Sequence, residues 1–102
     1  MCMRPHRMVI GVCQLDLLIR ENNSLKEKRR TIKRIIERVK NKFNVSIAEV
    51  GNHDLWQSSQ LSFCMVGNDK RFINSSLDKV IRFIEELHSA EIIKSEIELL
   101  NV

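Results

Sequence analysis

A chain of 102 residues, 43% hydrophobic and 29% charged, has enough apolar material for one core and no room for a second. Its apolar runs are a few residues long, against the ~20 needed to span a bilayer, and no apolar stretch with a small-residue cleavage site follows the basic N-terminal residues, so a cytoplasmic protein is expected. The net charge is +4, and Cys2, Cys13 and Cys64 form an odd set without CxxC spacing, which argues against a disulfide framework and against a zinc site.

Residues 1–7 carry no pattern and read as a disordered extension to a single domain over 8–102, with Met8 an alternative start. Residues 8–19 read as a strand. Val9, Gly11, Cys13, Leu15, Leu17 and Ile19 make one apolar or small face; Met8, Ile10, Val12, Gln14, Asp16 and Leu18 make a mixed one. One clean apolar face fits a sheet covered on one side, and the apolar groups on the other suggest partial cover by another subunit. Cys13 and Cys64 read as small strand hydrophobes.

Ser24 stands three residues before Glu27, a capping-box signature. Leu25, Ile32, Ile35, Ile36, Val39 and Phe43 follow at helical spacing and predict a helix over about 25–41, with Asn44 ending it at a positive φ. A strand is expected at 45–50, a turn at Gly51-Asn52-His53-Asp54, and a third strand within 55–66 that alternates Leu61, Phe63 and Met65 against Gln60, Ser62 and Cys64. Asp69 is a helix cap, and Phe72, Ile73, Leu77, Val80, Ile81, Ile84 and Leu87 mark a second helix over about 70–88. The last strand is 91–100, with Ile93, Ser95, Ile97 and Leu99 facing one way and Lys94, Glu96 and Glu98 the other. The order β-α-β-β-α-β, with right-handed crossovers, leads to an α+β sandwich: a four-stranded antiparallel sheet in order 4-1-3-2 with both helices on one face.

The first helix holds the strongest functional signal. Nine cations and two glutamates in 25–42 give it +7, so the rest of the chain sums to −3. Lys26, Lys28, Arg29 and Arg30 crowd its first two turns, where the helix dipole disfavours cations by about 0.3–1 kcal/mol each. Free amides, the dipole and these side chains together favour an anion such as phosphate. Lys26, Lys28, Arg29, Arg30, Lys33, Arg34 and Arg38 are therefore the candidate nucleic-acid-binding residues, although Lys28 falls near the apolar side of the wheel. The competing reading is a solvated face neutralised by Glu27–Arg30, Lys33–Glu37 and Glu37–Lys40 pairs.

With few aromatics on the expected sheet and no GxxG loop, RNA contact should run through phosphates or shape and depend strongly on salt. Trp56 reads as a packing or interface aromatic, and His53-Asp54 as turn residues. There is no Gly-rich phosphate loop, no GxSxG and no HExxH, so no catalytic residue, metal, cofactor or small-molecule substrate is expected. The second strand, at a sheet edge with only Glu49 charged, motivates homo-oligomerisation. An acidic protein partner for the basic helix is the alternative to RNA.

Ser24-Leu25-Lys26-Glu27-Lys28-Arg29-Arg30, Lys42-Phe43-Asn44-Val45-Ser46-Ile47-Ala48-Glu49-Val50 and Asp54-Leu55-Trp56-Gln57 resemble, in order, the YlxP-like family of small bacterial proteins of unknown function. The resemblance spans about residues 8–100 and implies a ferredoxin-like fold. Its members are often encoded beside translation and ribosome-maturation factors, which implies a connection to RNA or the ribosome.

Overall fold

The structure, a computed structural model, describes residues 8–102; the expected extension over 1–7 lies outside the described residues. The elements are β1 (Val9–Leu18), α1 (Leu25–Lys42), β2 (Ser46–Gly51), β3 (Ser58–Gly67), α2 (Lys70–Glu86) and β4 (Glu91–Asn101). The strands form one antiparallel sheet in the order β2-β3-β1-β4, which is the expected 4-1-3-2 read from its other edge. The architecture is ferredoxin-like, with both helices on one face.

The period-two pattern of β1 sets the layers. Val9, Cys13, Leu15 and Leu17 are buried beneath the helices with Leu61 and Phe63 of β3, while the alternate residues face away. From α1 the core receives Ile32, Ile35 and Val39; from α2 it receives Ile73, Leu77, Val80 and Ile84. Gly11 lies directly under α2, where an added Cβ would collide with Ile73 and sit 2.9 Å from Leu77 Cδ1.

Half of the capping box forms as read, with Ser24 Oγ accepting from Glu27 N–H at 3.1 Å; the return bond shifts by one residue, Glu27 Oε2 accepting from Asn23 N–H at 3.0 Å. At the other end the chain departs from expectation. The C-cap is Phe43, extended at φ −126°, and the left-handed residues other than glycine among those described are Asn52 and His88, not Asn44. Phe43 packs edge-on against Phe83 with ring centroids 5.5 Å apart, so an aromatic contact directs the exit that a left-handed residue was expected to make.

β4 is corrected as well. A register shift opposite Asp16–Leu17 sets Ile92 across from Leu17, so Ile92 packs on the core and Ile93 is left 59% exposed. The inserted residue is a β-bulge, which interrupts the strict alternation assumed from the pattern.

Candidate nucleic-acid interface

α1 is amphipathic because its apolar residues recur every three or four positions, and burying that stripe turns the intervening cations outward. Lys26, Arg29, Arg30, Lys33, Arg34 and Arg38 are all exposed, as are Lys40 and Lys42. At 1.5 Å per residue, Lys26 to Arg38 covers roughly 18 Å of helix.

The cations flank the helix on two sides. Arg30 and Arg34 line a cleft of about 930 Å³ with Arg20 and His88; Glu27, Glu85 and Glu91 also line it, and Glu91 Oε2 is bonded by Arg20 Nε at 3.0 Å. Arg29, Lys33 and Lys40 line a groove of about 370 Å³ beside β2, together with Ile32, Ile36 and the carboxylates Glu37 and Glu49. Lys42 Nζ stands 4.8 Å from the Phe83 ring centre, a cation–π contact.

The pairs that would neutralise this face do not form. Among the described residues, no carboxylate lies within 4.0 Å of Lys26, Arg30, Lys33, Arg34 or Arg38, and the one ion pair of the exposed face is a loose Arg29–Asp54 contact at 3.9 Å. Glu27 is turned instead to the Asn23 amide.

Lys28 leaves the interface, and its place among the nucleic-acid-binding candidates is corrected. Its side chain is completely buried, with Nζ 2.7 Å from Glu49 Oε2, 2.7 Å from the Asn52 carbonyl and 3.2 Å from the His53 carbonyl. These three acceptors use all three ammonium donors. The reason is positional: Lys28, Ile32 and Ile35 follow one another on the buried stripe, so the side chain grows inward. Glu49 also accepts from Ser59 Oγ at 2.6 Å. Burial alone would raise the Glu49 carboxyl, but the hydrogen bonds from Lys28 and Ser59 and the charges of Lys28 and His53 outweigh it and hold the group below its ordinary value.

This pair was missed in the sequence reading, though both halves left a trace. Lys28 breaks an otherwise apolar stripe, and Glu49 falls two residues after inward-facing Ile47. A lone inward cation and a lone inward carboxylate on adjoining elements imply each other.

The pair fastens the loop between β2 and β3 to the start of α1. Asn52 takes a left-handed φ of 61°, which aims its carbonyl at Lys28, and Asn22 Nδ2 donates to the Trp56 carbonyl. Leu55 and Trp56 are 51% and 55% exposed, so Trp56 is no core aromatic; it is displayed beside the basic end of α1. Cys13, by contrast, is enclosed, and burial followed by the charge of Asp78 pushes its thiol up to about 12, far from a reactive thiolate. Among the described residues no cluster of three or more His, Cys, Asp or Glu is placed to hold a metal, and no helix is long and apolar enough to cross a membrane.

Comparison with known proteins agrees with this architecture. The family described as "Protein of unknown function (DUF503)" matches residues 10–97. The uncharacterized protein YlxP of Bacillus subtilis (strain 168) is 39% identical over 83 residues, covering 81% of this chain and 90% of that protein. Among solved structures, the de novo designed protein Foldit4 superposes with a TM-score of 0.52 at 23% identity, covering 93% of this chain and 98% of that one. A dimeric ferredoxin-like protein from an uncultured marine organism gives 0.48 at 12% identity, over 94% and 88% of the two chains.

Proposed function

The chain belongs to the DUF503 family, a family without an assigned activity, and from that premise we propose that it is a non-enzymatic cytoplasmic accessory factor that binds structured RNA or the ribosome through the exposed cations of α1. One observation carries this reading: among the described residues, Lys26, Arg30, Lys33, Arg34 and Arg38 stand without a carboxylate within 4.0 Å although Glu27 and Glu37 share their helix. A face evolved only for solubility gains from internal pairs, whereas a face awaiting phosphate oxygens does not. The translational setting implied by the YlxP-like resemblance supports RNA as the source of those phosphates.

The test is a filter-binding titration with ribosomal RNA fragments. Binding should be measurable at low salt, fall steeply as salt rises, and be lost on Arg30→Glu combined with Arg34→Glu. Absence of binding at low salt, or an undiminished affinity in the double variant, rejects the proposal.

A second reading is favoured by the groove beside β2. Ile32 and Ile36 offer an apolar contact that a bare phosphate backbone would not use, and Arg29, Lys33 and Lys40 outnumber Glu37 and Glu49 there, which suits an acidic, amphipathic protein segment. Contacts in pull-downs that survive nuclease treatment would favour protein over RNA.

A further inference from the structure

We propose that two copies of this chain associate by antiparallel pairing of their β4 strands, centred on Ser95. β4 is an outer strand of eleven residues, and α1 and α2 leave it largely uncovered: Ile92 and Leu99 are half-buried and the residues around them more exposed. Ile93 and Ile97 are 59% and 37% exposed. A long edge strand with exposed apolar side chains is a template for a further strand.

The order of residues along β4 identifies the occupant. Its pairing with β1 sets Ile97 opposite Cys13 and Ser95 opposite Leu15, on the side of the helices. Lys94 is opposite Asp16 and Glu96 opposite Gln14, on the open side of the sheet. Counted back from Ser95, Ile93 falls on the helix side as well, next to Ile92 opposite Leu17, so that the bulge sets two consecutive residues on that face. Turning a second copy about Ser95 brings Lys94 against Glu96 and Ile93 against Ile97, each pair occurring twice and each on a single face. Opposite charges and apolar pairs directly across an antiparallel ladder are both favourable.

Neighbouring registers lose this match. Pairing centred on Lys94 or on Glu96 sets that residue against its own copy, like charge against like. A lysine on an edge strand ordinarily repels another strand, and a foreign strand would leave Lys94 without its opposing carboxylate; a second copy supplies one. Within one chain Lys94 and Glu96 already lie 2.9 Å apart, with 63% and 65% of their side chains still exposed to a further partner.

Sedimentation velocity of the purified chain, free of nucleic acid, tests the proposal independently of any RNA binding. The wild type should sediment at twice the monomer mass. Lys94→Glu and Glu96→Lys should each weaken association by about tenfold, because each sets like charges across both pairs. An equimolar mixture of the two variants should recover the dimer, since each supplies the charge that the other lacks; circular dichroism of both checks that these exposed substitutions leave the fold intact. A wild type that stays monomeric at high micromolar concentration, variants as dimeric as wild type, or a mixture no more associated than its components would overturn it.

Discussion

Lys28 and Glu49 meet at 2.7 Å inside the protein, in the one ion pair among the described residues whose cation has no exposed side-chain surface. The other ion pairs are largely open to solvent and contribute little to stability. This pair differs because removing one partner strands the other in a poorly solvated site.

Glu49→Gln should destabilise the fold by roughly 3 kcal/mol or more, since it leaves a buried ammonium without counter-charge. Lys28→Met should cost less, because Glu49 retains Ser59 and 14% of its side chain reaches solvent. The double variant Lys28→Met with Glu49→Gln should then be more stable than Glu49→Gln alone. Urea unfolding of the four proteins closes the cycle, and additive effects would show that the pair is not coupled.

Glu49 also sets a direction for pH dependence. Its folded-state value lies below the ordinary 4.5, so its contribution is fully present above that pH and is lost as pH falls through the folded-state value. Thermal melts should show the wild type losing stability below pH 4.5 more steeply than Glu49→Gln, which has no proton to take up there. Parallel pH profiles for the two proteins would contradict this.

Because Lys28 is enclosed, its charge should be irrelevant to RNA. Lys28→Met, where folded, should bind ribosomal RNA fragments within about twofold of wild type and with the same salt slope, while Arg30→Glu with Arg34→Glu should abolish binding. An equal loss in both would put Lys28 back in the interface.

Trp56 is the chain's single tryptophan, and it is exposed beside the N-terminal turns of α1. Its fluorescence should therefore change on titration with RNA fragments and remain constant with the Arg30→Glu, Arg34→Glu variant. A signal indifferent to bound RNA would place the contact on the distal turns of the helix.

Gly11→Ala should destabilise by about 1–3 kcal/mol, because its Cβ meets Ile73 and Leu77 where α2 rests on β1. A melting temperature equal to wild type would mean that α2 can shift outward at no cost.

The architecture was legible because it rests on local signals. The alternation of β1, the Ser24–Glu27 box and the stripes from Ile32 to Val39 and from Ile73 to Ile84 each determine an element within its own segment. What escaped depends on contacts between distant segments. The exit of α1 follows from Phe43 meeting Phe83, and the bulge at Ile92–Ile93 from the register against β1; neither is written in the neighbouring residues. The candidate interface was legible as a count of cations, but one of them depended on Glu49 in another element. The exposure of Trp56 had no sequence signal, because an isolated aromatic in a polar loop reads equally as packed or displayed.

The grip of Lys28 on the Asn52 and His53 carbonyls has a consequence for recognition. With Asn22 holding the Trp56 carbonyl and Leu55 N–H bonded to Asn52, the backbone of this loop is ordered when the chain folds. Its loss of conformational freedom is then complete before a ligand arrives. Leu55, Trp56 and the first turns of α1 thus form one preset surface, and a partner of the proposed interface would have to match its shape rather than mould it.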